Sequence, residues 1–281
     1  MVQTVDRSAA GPQSPPVAAP RRRYWPLPVP VARLLLILAW LVLWEITVRL
    51  ELLNPILVAT PSATAVEMVA ILGDEEVRAA FGRTLSEYVV GFTIGAVAGI
   101  ALGVVLGLSR PAFRVLNAPL MIVYGTPKSI FLPLFVVFLG LGFESPTAFA
   151  AMETVFPLVI AVVAGMHSLD ARLMTAADAM GASRLDKVRF LIIPSALPSI
   201  ISGMWLGLKQ ALLAVLLAEL LISGGDNVGF YIAHYAAVFE PEKVYALIGW
   251  LSVFAITLGV IWRRVDAYAG RWRTAGRGAS L

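Results

Sequence analysis

Five charged side chains lie where water is expected to be absent. Glu45, Lys128, Glu153, Lys209 and Glu219 are embedded in long apolar runs, and an ionised group at the centre of a membrane helix costs about 2.5–3.5 kcal/mol on insertion scales. Each needs an opposite charge, a hydrogen-bond donor or water, so each should face the protein interior. Two roles are open to Lys128, Glu153, Lys209 and Glu219: they line a path for a solute, with the lysines attracting an anion, or they pair with one another and snorkel toward an interface. Ten residues separate Lys209 from Glu219, about 15 Å along a helix. The two cannot touch, and each requires a partner on another helix.

Enzymatic chemistry finds little support. His167, Ser168 and Asp170 are close in sequence, but there is no H-E-x-x-H helix, no G-x-S-x-G elbow and no Cys/His cluster to complete a site. The chain has no cysteine, which removes disulfides, thiol chemistry and thiolate metal ligation. It has no G-x-x-x-x-G-K-[ST] and no Gly-Lys pair, so nothing opens a phosphate-cradling loop. No metal and no cofactor is expected.

The elements that carry these residues are membrane spans. Of 281 residues, 59% are hydrophobic and 14% charged, with a mean hydropathy of +0.82, far from the balance of a soluble domain. About 20 apolar residues cross a bilayer as a helix, and the qualifying stretches are Ala32–Val48, Tyr88–Leu108, Val115–Leu141, Pro146–His167, Leu197–Ser223 and Val244–Trp262. The third contains Pro119, Pro127 and Pro133 together with Lys128, which predicts a bent segment. The expected fold is all-α, a polytopic membrane protein of about six spans.

Basic residues orient it. With a cytoplasmic N-terminus, sixteen of the 22 Lys and Arg fall on inside segments and four on outside ones, placing both termini in the cytoplasm. The pI of 9.6 thus reflects topology and not nucleic-acid binding. Residues 1–31, rich in Pro and Arg, read as a disordered cytoplasmic tail without a signal-peptide pattern; 32–266 form the membrane domain, and 267–281 a basic cytoplasmic tail. Outside, Glu51 to Glu87 make the one sizeable connection, with a short surface helix over Ala63–Leu72. The Ser223–Gly229 segment reads as a tight bend, a gate or, by preference, a connector. The second span carries Gly91, Gly95, Gly99, Gly103 and Gly107, a four-residue repeat that bares one helix face to another helix, for sliding or for static packing.

The longest inside loop, His167 to Pro198, is structured. Asp170 caps a helix over Ala171–Met180, Gly181 ends it in a left-handed turn, and Ser183 with Asp186 starts a second helix through a capping box. Alanines 176, 177, 179 and 182 keep the first helix narrow, and Met180 gives it an adaptable apolar tip suited to a cleft on another protein.

Thr175-Ala176-Ala177-x-x-x-Gly181, then nine residues, then Leu191-x-Ile193-Pro194, resembles the cytoplasmic signature of permease subunits of binding-protein-dependent ABC importers, which reads Glu-Ala-Ala, three residues, Gly, nine residues, Ile, one residue, Leu-Pro. Thr175 stands where the family usually has glutamate. The resemblance extends through Thr60-Pro-Ser-Ala-Thr-Ala-Val66, Thr126-Pro-Lys-Ser-Ile-Phe-Leu-Pro-Leu-Phe135, Gly140-Leu-Gly142, Phe156-Pro157, Leu197-Pro-Ser-Ile-Ile-Ser-Gly203 and Ala218-Glu219, most closely to the nitrate, sulfonate and taurine group.

That resemblance implies the type I importer fold and one transmembrane subunit of a pair, here a homodimer, in a bacterial inner membrane. It implies an ABC ATPase subunit that binds the ATP, an extracytoplasmic solute-binding protein, and a coupling loop over about 168–196. In that loop Thr175, Ala176, Ala177, Asp178, Met180, Gly181, Ala182, Ser183, Arg184 and Pro194 are the docking candidates, with Asp178, Arg184 or Lys187 supplying the charge missing at Thr175. An ion-coupled secondary carrier using Glu153 or Glu219 is the alternative; it calls for repeated halves, and the sequence has no such repeat.

Overall fold

The computed structural model describes residues 28–222 and 226–269. Most of the two predicted tails and the Ser223–Gly225 part of the predicted outer bend lie outside them. The chain divides into two compact units, 1–44 and 45–281, and no strand occurs among the described residues.

Among the described residues eleven α-helices follow one another: α1 (Val29–Arg49), α2 (Pro61–Ala70), α3 (Glu75–Leu108), α4 (Arg110–Gly125), α5 (Leu132–Leu139), α6 (Glu144–His167), α7 (Ala171–Ala179), α8 (Arg184–Lys187), α9 (Ile193–Leu221), α10 (Val228–Ala237) and α11 (Pro241–Ala269). Among the described residues five helices are long and apolar enough to cross a membrane, and α4 with the 128–139 segment makes a sixth crossing only if this pair, bent by 87°, counts as one span. The bend falls at Thr126-Pro127, where proline cannot donate to the preceding turn.

Two boundaries differ from the sequence reading for physical reasons. The second span begins at Glu75, thirteen residues before Tyr88, because Asp74 accepts hydrogen bonds from the Glu76 and Val77 amides and Glu75 and Glu76 favour the positive end of the helix dipole. The charges over 75–87 lower the local hydropathy while leaving Val77, Ala80 and Thr84 on a buried stripe. In the inside loop, α8 is no separate helix but the start of a continuous run, Arg184–Leu221. A π-turn over Val188–Ile192 joins it to α9, the Ile193 amide reaching Val188, and this wider turn accommodates Pro194, which has no amide proton to give.

The core is α6 held between α3 and α9. Each glycine of the α3 stripe faces α6, and a Cβ would lie 2.7 Å from the Thr147 carbonyl oxygen at Gly91, 2.4 Å from the Ala151 oxygen at Gly95, 2.8 Å from Leu158 at Gly99, 2.6 Å from Val162 at Gly103 and 2.4 Å from the Met166 sulfur at Gly107. The α9 side repeats the arrangement: Gly165 lies against Ala196 and Ser199, and Gly203 against Ala161. The hydrophobic effect gives helices no mutual attraction in lipid, so this backbone proximity, with its dispersion contacts, supplies much of the association. α2 is less a surface helix than a strut: the Trp250 indole of α11 donates to the Met68 carbonyl at 2.8 Å, and Gly249 admits the Met68 side chain. Edge contact of Tyr88 with Phe254 and stacking of Trp205 on Trp262 fix α11 to the core.

Gly95→Ala should therefore destabilise the folded protein by about 1–3 kcal/mol, the range for overpacking a filled interior. Gly82→Ala on the same helix, where a Cβ meets nothing within 4 Å, should leave stability unchanged or raise it by up to about 1 kcal/mol through helix propensity. Thermal unfolding of the detergent-solubilised variants checks both, and equal behaviour of the two would contradict the packing account.

Candidate functional site

The break between α4 and α5 places Lys128 on the first residue of a short 3-10 turn, Lys128–Phe131. Its ammonium lies 3.2 Å from Glu153 Oε2, with the side chains only 7% and 13% exposed, and donates to the Tyr124 carbonyl oxygen at 3.4 Å. The rings of Tyr124 and Phe156 flank it at 5.3 and 5.7 Å from their centroids, within range of cation–π attraction. Glu153 is the tenth residue of the 24-residue α6, about 14 Å from one end of a helix about 36 Å long. This ion pair is thus well inside the span, joining a broken segment to the central helix.

Glu219 is wholly buried and its role is different from that of a channel wall. Its Oε2 accepts from the Gly229 amide at 2.8 Å, while the Val228 amide donates to Thr84 Oγ1 at 3.1 Å and the Phe230 amide to Asn227 Oδ1 at 3.0 Å. The first three amides of α10 are therefore satisfied, two of them by spanning helices. The close approach requires Gly229, where a Cβ would sit 2.3 Å from that of Glu219. Among the described residues only the last two of the predicted connector, Val228 and Gly229, are helical, and they form the pinned start of α10, which Asn227 as a cap signals in the sequence. Its Tyr231 hydroxyl donates to Glu76 at 3.2 Å, and burial, reinforced by that carboxylate, pushes the phenol up to about 12.

A residue that the sequence reading placed outside the membrane, Glu87, joins this site. Fully buried on α3, its carboxyl lies beside that of Glu219 and 3.3 Å from Arg83 Nε. The Arg83–Glu87 spacing of four residues just before the apolar run was the available signal.

The remaining candidates stand apart. Lys209 is exposed, with its ammonium 5.4 Å from the Trp205 ring centre one turn back on its own helix, in place of the acidic partner expected from another helix. Glu45 accepts from the Ser62 amide at 3.0 Å and from its hydroxyl at 2.7 Å, tying the end of α1 to the start of α2. His167 packs edge-on against Phe113, the Ser168 hydroxyl donates to the Gly165 carbonyl, and Asp170 caps α7 through the Arg172 amide, so these three do not assemble. A cavity of about 520 Å3 between α3 and α11 has apolar walls, including Phe81, Tyr88, Trp250 and Phe254, and none of the four intramembrane candidates lines it.

On the inside loop, α7 ends at Gly181, whose φ of 74° suits glycine, and the Ser183–Asp186 capping box opens α8. Thr175 turns its hydroxyl back to the Ala171 carbonyl at 3.1 Å. Asp178 and Lys187 form an ion pair with each other across Gly181. Two of the three charges expected to face a partner are thus joined together, which leaves Arg184 and an apolar tip of Met180, 86% exposed, and Leu185, 74% exposed. Ala176, Ala177 and Ala182 add no bulk around it, and Pro194 sits beyond the π-turn.

A family model described as the binding-protein-dependent transport system inner membrane component matches residues 91–266. The taurine transport system permease protein TauC of Escherichia coli is 26% identical over 255 residues, 88% of this chain and 92% of that protein. The riboflavin transport system permease protein RibX of Chloroflexus aurantiacus is 27% identical over 263 residues, 93% of this chain and 96% of that one. Among solved structures, an inward-facing MetNI methionine ABC transporter chain superposes with a TM-score of 0.61 at 19% identity, over 69% of this chain and 96% of that chain. The matched region includes the glycine stripe, the broken span, the two-helix loop and α9 through α11, and on that basis the chain belongs to the family of binding-protein-dependent transport system inner membrane components, the permease subunits of ABC importers.

Proposed function

We propose that this subunit pairs with a second copy of itself to form a pathway, receives solute from an extracytoplasmic binding protein, and draws its energy from an ATPase seated on α7 and α8. The observation that carries this reading is the two-helix projection around Gly181. A loop serving only as a connector has no need for two caps, a left-handed glycine and an ion pair to hold an apolar tip outward. ATP binding and hydrolysis belong to the partner, and this chain carries out no chemistry. Both termini lie in the cytoplasm, in keeping with the basic residues on those segments. The solute is small and of the taurine, sulfonate or nitrate type, as supported by the names of relatives such as TauC, the putative aliphatic sulfonates permease SsuC of Escherichia coli, and the nitrate import permease NrtB of Leptolyngbya laminosa.

Within the subunit we assign the pathway to Lys128 and Glu153, with exposed Lys209 on the surface that meets the second copy. Glu219 instead fastens α10 to the spans. Docking of the ATPase rests on the apolar tip, since the glutamate position of the family signature is occupied by Thr175 and its hydroxyl faces its own helix.

Gly181→Pro should abolish co-purification of the cognate ATPase, or leave it bound without solute-stimulated ATP hydrolysis, because proline cannot adopt a positive φ. An unchanged ATPase rate in the variant complex would refute the coupling assignment. Asp178→Ala, Lys187→Ala and the double variant should each weaken ATPase binding by a similar factor, about two- to fivefold, as Asp178 is exposed and its pair with the half-buried Lys187 is worth no more than about 1 kcal/mol. Losses that add in the double variant would show that the two charges contact the partner independently.

A further inference from the structure

Lys128 and Glu153 are nearly buried and well inside the span, so neither can be left alone. Removing one member of a buried pair strands the other charge without a partner, which is strongly destabilising. A simple anion that draws Lys128 away abandons Glu153, and a simple cation that draws Glu153 away abandons Lys128. A solute carrying both charges on one short skeleton satisfies the two residues together. We propose that the Lys128–Glu153 ion pair is an exchange site for a small zwitterion, whose sulfonate or carboxylate takes the lysine while its ammonium takes the glutamate. This deepens the pathway assignment above and rests on it.

Three features of the site suit such an exchange. The pair is reachable, for Glu153 keeps 13% of its side chain exposed. Phe156 lies three residues beyond Glu153 on the same face of α6 and already borders a cation, so an ammonium arriving at Glu153 meets a ring face as well as a carboxylate. Lys128 stands at a break between helices bent by 87°, where its backbone is not locked into a continuous span. The Tyr124 carbonyl oxygen 3.4 Å away holds the ammonium on the Glu153 side until a solute anion competes for it. Lys209 beside Trp205, and Glu87 and Glu219 at the start of α10, are engaged elsewhere, so the exchange involves one lysine and one glutamate per subunit.

The test uses the permease–ATPase complex in lipid nanodiscs without the binding protein, so that selection by the binding protein does not enter. Taurine and glycine serve as zwitterionic probes, ethanesulfonate and ethylammonium as probes bearing one charge each. Expected is a rise in melting temperature with taurine or glycine and none with either single-charge probe at equal concentration. Lys128→Met and Glu153→Gln alone should destabilise the complex, while Lys128→Met/Glu153→Met should assemble with the ATPase, melt near the wild type, lose the zwitterion response and reduce uptake by the complete importer about tenfold or more, the equivalent of one lost charge contact. Equal stabilisation by ethanesulfonate and taurine, or no response to either zwitterion, overturns the proposal. So does a double variant that transports like the wild type, which makes the pair purely structural. Failure of the wild-type chain to bind any ATPase is a separate outcome and counts against the permease assignment instead.

Discussion

Backbone-to-backbone proximity of α3, α6 and α9 is the constraint on which the other features depend. Lipid offers helices no hydrophobic reason to associate, so the attraction must come from close packing. Glycine stripes from both sides let the chain reach it: α3 presents five to α6, and α9 presents Gly203 to Ala161. One consequence concerns α6, which has neighbours on two sides and holds buried Thr154 with its hydroxyl returned to the Ala150 carbonyl at 2.8 Å. A helix fixed this firmly is a suitable base for a charged residue, and Glu153 is next to that threonine.

The charged groups then sort by depth and surroundings. Lys128 and Glu153 meet because a proline break turns the chain back toward α6. Glu219 and Glu87 meet because α9 and α3 flank the same end of the bundle, where α10 brings amide donors to receive a carboxylate. Lys209 and Glu45 need no such interior partner, the one exposed beside Trp205 and the other near a helix end beside Arg49 and Ser62. A buried charge is tolerated where an opposite charge or an amide dipole is built opposite it, and the different solutions here separate an ion pair at a helix break from a carboxyl that receives the start of a helix.

Much of this was legible in the residues themselves. The glycine repeat, the Asp170 and Ser183 caps and the Gly181 turn each act through interactions a few residues apart, so spacing alone locates them. Helix ends fared less well: Glu75–Glu87 is too charged for a hydropathy window, though its buried stripe of Val77, Ala80 and Thr84 makes it helical. Long-range pairs were hidden for a related reason. Nothing local connects Lys128 with Glu153, or Asp178 with Lys187 in preference to a partner, because these contacts depend on the 87° break and on the turn at Gly181. The chemistry of α10 was hidden in the same way, as its amide partners come from Thr84 and Glu219, far from it in sequence.

Continuity of α8 with α9 changes how the inside loop can act. Two helices on a flexible tether would absorb a push at Met180, whereas a run from Arg184 to Leu221 carries it directly into the bundle. The π-turn at Val188–Ile192 interrupts the regular hydrogen-bond ladder of that run, and such turns recur at functional sites. Just beyond it, Gly165 admits Ala196 and Ser199 so closely that α9 is held against α6 there. The far end of α9 bears Glu219 and through it α10, so the two-helix loop and α10 are joined through one continuous element.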